Sequence, residues 1–93
     1  MLAKIKLALR ISTNAFDTEI QTLIDAAISE MYGLGVTAAT ADTTDPQIIS
    51  AVVAYAKWQF GNNEDADRWR DIYHIKLGQL KTMTGYTDWD AEA

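Results

Sequence analysis

The chain has 93 residues with 8 Lys and Arg against 13 Asp and Glu, a formal net charge of −5 and no cysteine. That length allows one domain with a modest core and a thin stability margin. The composition excludes disulfides and thiolate metal sites, and the acidic balance argues against the basic footprint of a duplex-binding protein. The longest apolar run is far short of the roughly 20 residues that span a bilayer.

Helical spacing appears four times along the chain, and no stretch alternates as a strand does. The first segment, "MLAKIKLALRIST", predicts a short helix over about 2–10 with Leu2, Ile5 and Leu9 on one side. Its apolar residues are interrupted by lysine, so it lacks the core of a signal peptide and reads as mature sequence. Lys4, Lys6 and Arg10 make this segment purely basic.

The second helix is expected to start near Asp17 or Thr18, where Thr18 and Gln21 have the spacing of a capping box. Ile20, Leu23, Ile24, Ala27, Ile28 and Met31 recur at three- and four-residue steps and make one apolar face. Gly33 and Gly35 stop the helix. "VTAATADTTD" then reads as a loop of small and polar residues.

In "DPQIISAVVAYAKWQFGN" the third helix is predicted over about 46–60, with Asp45 as N-cap and Pro46 at the first helical position. Its side chains fall into two apolar arcs. Ile49, Val52, Val53, Ala56 and Phe60 form one, and Ala51, Ala54, Tyr55 and Trp58 form the other. A helix apolar nearly all round is buried on more than one side, which makes this one the central element. The first arc is expected on helix two; the Tyr55/Trp58 arc fits helix four or another subunit.

The fourth helix is predicted over about 64–83, capped by Asn63 after a Gly61–Asn62–Asn63 turn. It carries one stripe of Trp69, Ile72, Tyr73, Leu77 and Leu80. "TGYTDWDAEA" closes the sequence, with two aromatics in an acidic stretch. The reading is therefore all-α: a bundle of about four helices in a domain over 1–85, and an acidic tail over 86–93. The basic first segment and the acidic second quarter and tail are either solvated surface or complementary ends of neighbouring subunits.

Catalytic and cofactor signatures are lacking. His74 is the only histidine and reads as a structural or surface residue. No phosphate-binding loop, dinucleotide fingerprint, metalloprotease motif or nucleophile elbow occurs. A helix-turn-helix reading of helices three and four meets acids at the start of the second helix, where a recognition helix faces phosphates. The expectation is a non-enzyme with no cofactor and no metal.

The pattern "KIKLALRIS…FDTEIQTLIDAAISEMYGLGV", the capped apolar helix from Asp45 to Asn63, and Tyr73, Leu77 and Leu80 in "IYHIKLGQLK" resemble the small all-helical phage head–tail connector, or head-completion, family over nearly the whole chain. Lys6, Leu9, Arg10 and Ile11 match the family's opening, and Asp17, Ile20, Leu23, Ile24, Ala26 and Ala27 its second helix. Relatives often carry an arginine after the asparagine turn; here the sequence runs "GNNEDAD", so that contact is absent or falls to Arg68. The resemblance implies copies assembled as a ring of roughly a dozen under the portal protein, closing by rotation, and allows each copy to be a monomer when free. Such a ring extends the DNA channel without specific binding and docks the next connector or the tail. It implies a place in the virion neck, assembly in the host cytoplasm and no membrane. Tyr55, Trp58, Arg68, Tyr86 and Trp89 are the candidate interface residues, and the 35–45 loop and the tail are candidates for ordering on docking. A small helical DNA-associated regulator and a generic helical adaptor are the competing readings.

Overall fold

In a computed structural model the described residues are 1–60, 64–82 and 86. They form four α-helices and no strand: α1 Leu2–Ala8, α2 Asp17–Gly33, α3 Pro46–Gln59 and α4 Ala66–Thr82. The Gly61–Asn63 turn with its cap, Met83 and the tail beyond Tyr86, Trp89 included, lie outside the described residues.

The helix α3 touches all three others, most extensively α4, then α2, then α1. Its start follows from two residues. The Asp45 carboxylate accepts from the Gln47 and Ile48 amides at 2.8 and 3.4 Å, and Pro46 brings no amide that needs a partner. Ile48, Ala51, Val52, Ala54 and Ala56 are buried along it. Three of these five are alanines, whose short side chains let neighbouring helices approach closely.

Two differences from the sequence reading concern burial on α2 and α3. Ile48 is fully buried, whereas Ile49, assigned to the core by the arc drawn through Val52 and Val53, is only half-buried. Ile48 shares its face with Ala51, Val52 and Tyr55 at steps of three, four and seven residues, the face that meets α4 and α2 together. On α2, Ile20, Ile24, Ala27 and Met31 are buried, Leu23 is half-buried at the edge of that face, and Ile28 packs on the core from a half-buried position. Val53, Phe60, Trp69 and Ile72 likewise pack on it while partly exposed, and Tyr73, Leu77 and Leu80 are buried.

The expected Thr18–Gln21 capping box is not formed. The helix starts at Asp17, where it was expected, but with Phe16 as N-cap and no side-chain cap. Thr18 is thereby inside the first turn, and the Gln21 amide instead donates to Asp25 at 3.0 Å. What fixes this end is α1. Lys6 Nζ lies 2.7 Å from Asp17 Oδ1 and donates to Asn14 Oδ1 at 2.9 Å. At seven residues α1 is too short to persist alone; the buried Ile5 and this Lys6 bridge hold it to α2.

Both α1 and α2 end in the same way. Ile11 N donates to Lys6 O at 2.9 Å and Arg10 N to Leu7 O at 3.1 Å; Val36 N donates to Met31 O at 2.9 Å and Gly35 N to Tyr32 O at 3.1 Å. These are paired Schellman-type closures, which need a residue in the left-handed region. Gly35 supplies it at φ 103°, and Arg10, a non-glycine, at φ 60°. Met31 and Val36, the two residues joined by the longer hydrogen-bonded loop, are both fully buried, so the closure turns the chain into the core.

The 35–45 loop, a candidate for ordering on docking, packs on the bundle in its first part. Val36 and Ala39 are buried, Ala39 N donates to Val36 O, and Thr43 N to Thr40 O. Tyr86, assigned by sequence to the tail, lies against this segment: its carbonyl accepts from Ala38 N at 3.3 Å.

Two substitutions test the register and the turn. Ile48→Ala is expected to cost about 3 kcal/mol in urea unfolding, as for a fully buried isoleucine, and Ile49→Ala clearly less. Gly35→Ala is expected to cost about 1–2 kcal/mol from backbone strain alone, because an added Cβ there meets no atom within 4 Å.

Candidate functional site: the surfaces of the bundle

No group of three or more histidine or acidic side chains among the described residues is placed to hold a metal ion.

The Tyr55/Trp58 arc of α3 packs on α4. Tyr55 meets Tyr73 edge-on at 5.1 Å between centroids, Trp58 meets Tyr55 at 5.6 Å, and Trp58 lies 6.2 Å from Tyr73 and 5.7 Å from the exposed His74. Such edge-on pairs add attraction beyond the area they bury. Tyr73 is completely buried and donates its hydroxyl to Glu30 Oε1 of α2 at 2.6 Å, so the cluster joins three helices. Burial pushes the Tyr73 phenol well above its ordinary range, and the Glu30 carboxylate adds to the shift by its hydrogen bond and its charge. Burial and Glu30 raise Tyr55 in the same direction. Of the sequence-derived interface candidates, Tyr55 and Trp58 thus have their principal contacts within the chain, each half-buried.

Tyr86 has a comparable role. Its hydroxyl reaches both oxygens of Asp45, at 3.0 and 2.8 Å. Asp45 thereby caps α3 and receives a phenol from 41 residues downstream. Partial desolvation pushes the Asp45 carboxyl up, but the Tyr86 hydroxyl and the Gln47 and Ile48 amides together outweigh it and bring it below the ordinary range. Tyr86 moves the opposite way, raised chiefly by its hydrogen bond to that carboxylate. Nothing in the spacing of Asp45 and Tyr86 signalled this pair; an aromatic in an acidic stretch was the only sign.

Arg68 is exposed near the start of α4, away from the bundle core. Its neighbour Arg70 lies 3.4 Å from both Asp67 and Asp71 in exposed pairs that contribute little. Lys57 of α3 sits 4.4 Å above the Trp69 ring.

Among the described residues, the large apolar side chains that face solvent are Leu7, Phe16, Tyr32, Leu34 and Ile75. Phe16 has an edge contact with Phe60 at 5.5 Å. Leu7 is the most exposed of the five, at 79%. It stands on the wall of a groove of about 310 Å³ along α1, with Leu2, Ala3, Lys6, Ile11 and Ser12. The sequence spacing placed Leu2, Ile5 and Leu9 on one side of this helix and left Leu7 off it, as found, but gave no role to the exposed leucine.

No helix among the described residues is long and apolar enough to cross a membrane. Residues 1–87 match the family described as phage connector protein, and the chain belongs to that family. No curated protein and no solved structure matches it.

The Asp45–Tyr86 pair sets two pH limits. Asp45, with its lowered folded value, contributes stability at neutral pH that is lost as pH falls through and below the ordinary carboxylate value of 3.8. Tyr86, with its raised value, contributes stability below its ordinary 10.0 that is lost as pH rises beyond it. Asp45→Ala is expected to cost about 1 kcal/mol at pH 7. In urea titrations across pH its difference from the parent chain should shrink below that carboxylate value.

Proposed function

We propose that the chain is a head-completion connector of a phage particle: a structural subunit that assembles as a ring beneath the portal protein, extends the DNA channel and presents a docking surface for the next connector or the tail. The observation that carries the reading is the family match over residues 1–87, nearly the whole chain. The four-helix architecture is consistent with it: a small bundle tied internally by Tyr73–Glu30, Tyr86–Asp45 and Lys6–Asp17.

The charge suits the role. A net charge of −5 disfavours tight association with phosphate, so a wall built from such subunits lets the duplex pass during packaging and ejection. The subunit works without catalysis or a cofactor, in the virion neck, after assembly in the host cytoplasm. Ring closure uses a heterologous interface, in which one surface of each copy meets a different surface of the next. Exposed Arg68 and the outward part of half-buried Trp58 are open to such contacts, and Trp89, outside the described residues, stays a candidate from the sequence. Tyr55 and Tyr86 act first as internal ties.

Deletion of the gene, followed by electron microscopy of the particles, tests the reading. The expected outcome is DNA-leaking or empty heads without tails beside free tails. Normal tailed, infectious particles would end it. A titration with duplex DNA at low salt is expected to stay flat; salt-dependent binding would favour the regulatory alternative.

A further inference from the structure

Gly78 stands inside α4, four residues before its end, where glycine is the least suitable residue after proline. Nothing within the chain calls for it. Its φ lies outside the left-handed region, it is exposed, and a Cβ added there meets no atom within 4 Å. The absent side chain leaves a flat place on the outer face of the helix. One turn earlier on that face stands Ile75, a large apolar side chain that is 61% exposed. A projection and a flat place thus lie side by side, on the side of α4 away from buried Tyr73, Leu77 and Leu80.

The pattern matches itself when a second α4 runs the opposite way. Asp71, His74, Ile75, Gly78, Gln79 and Thr82 are all exposed. An antiparallel pair centred between 76 and 77 sets Ile75 of each helix against Gly78 of the other, His74 against Gln79, and Asp71 against Thr82. Charge selects the same direction. The first six residues of α4 hold both of its acids, Asp67 and Asp71, beside Arg68 and Arg70; residues 72–82 hold Lys76 and Lys81 and no acid. Parallel helices would bring the two lysine ends together, whereas antiparallel ones set each Lys81 against the end that carries the carboxylates.

We propose that the outer face of α4 pairs with the same face of a second copy, antiparallel, with Ile75 of each seated on Gly78 of the other. The contact is isologous and closes at two copies. It is therefore a different contact from the heterologous interface of a ring, and it goes beyond the connector reading. The patch from Asp71 to Thr82 is about 16 Å long. One helix pair of that length buries less than a standard interface, so the pairing is weak and reversible.

Sedimentation equilibrium of the full-length chain, taken to millimolar concentration, tests it. The mean mass is expected to climb from one chain towards two, and ¹⁵N amide shifts on dilution to fall within 71–82. Gly78→Gln should weaken the pairing several-fold while raising the urea midpoint of the single chain, because a better helix former replaces glycine. Those opposite signs separate a lost contact from a damaged fold. Ile75→Asp should abolish pairing and leave the far-ultraviolet circular dichroism as it was, since Ile75 is exposed. Asp71→Lys should weaken pairing, and Lys81→Asp added to the same chain should restore it. The proposal is overturned if the parent stays a monomer at every concentration, which leaves the face to a partner of another sequence. It is equally overturned if the dilution shifts lie away from α4, if Gly78→Gln pairs as well as the parent, or if the charge exchange fails to restore pairing. None of these outcomes bears on the particles formed after gene deletion, which test the connector reading separately.

Discussion

The constraint on which this domain depends is the burial of α3. A 14-residue helix with apolar side chains on nearly every side has no stable place on the surface of a small protein. Each other element covers part of it. The helix α4 takes the aromatic side, α2 packs on α3 as well, and α1, too short to fold alone, lies beside its end near Phe60. Alanines at 51, 54 and 56 make the close approach possible, and Tyr73, Ile48 and Val52 fill the space between. The modest size of the chain leaves little redundancy, so loss of one covering element exposes the helix the others depend on.

Two tyrosine–carboxylate hydrogen bonds supplement this packing. Tyr73 to Glu30 and Tyr86 to Asp45 join residues 43 and 41 positions apart. Packing of alanines and branched aliphatics tolerates sliding, whereas a phenol that must meet a carboxylate does not. Each bond therefore selects one axial placement of a helix or segment against its neighbour. Their acceptors are charged, which makes such hydrogen bonds stronger than those between neutral groups.

The helices and the centrality of α3 were legible because they depend on local signals: Asp45–Pro46 at a start, Gly35 at a stop, and apolar steps of three and four between them. What escaped was what local signals do not encode. Ile48 and Ile49 are adjacent and chemically identical, and only the positions of α2 and α4 decide which is buried. Thr18 and Gln21 had the spacing of a capping box, but the Lys6 bridge to Asp17 and Asn14 sets that end of α2 instead. Arg10 in the left-handed region carries no glycine to announce it. The candidate surfaces were the least legible part, since Tyr55, Trp58 and Tyr86 are the residue types of an interface and here are spent largely on internal contacts.

Asp45 has a consequence that follows from its two simultaneous partners. The carboxylate that satisfies the first amides of α3 also anchors Tyr86. Whatever stabilises one arrangement of that carboxylate stabilises both occupants, and by reciprocity the same free energy is felt from either side. Docking of Tyr86 raises the helical population of the first turn of α3, and fraying of that turn loosens Tyr86 to the same degree. A force applied to the chain after residue 86 is thus transmitted directly to the beginning of the helix around which the whole domain is built.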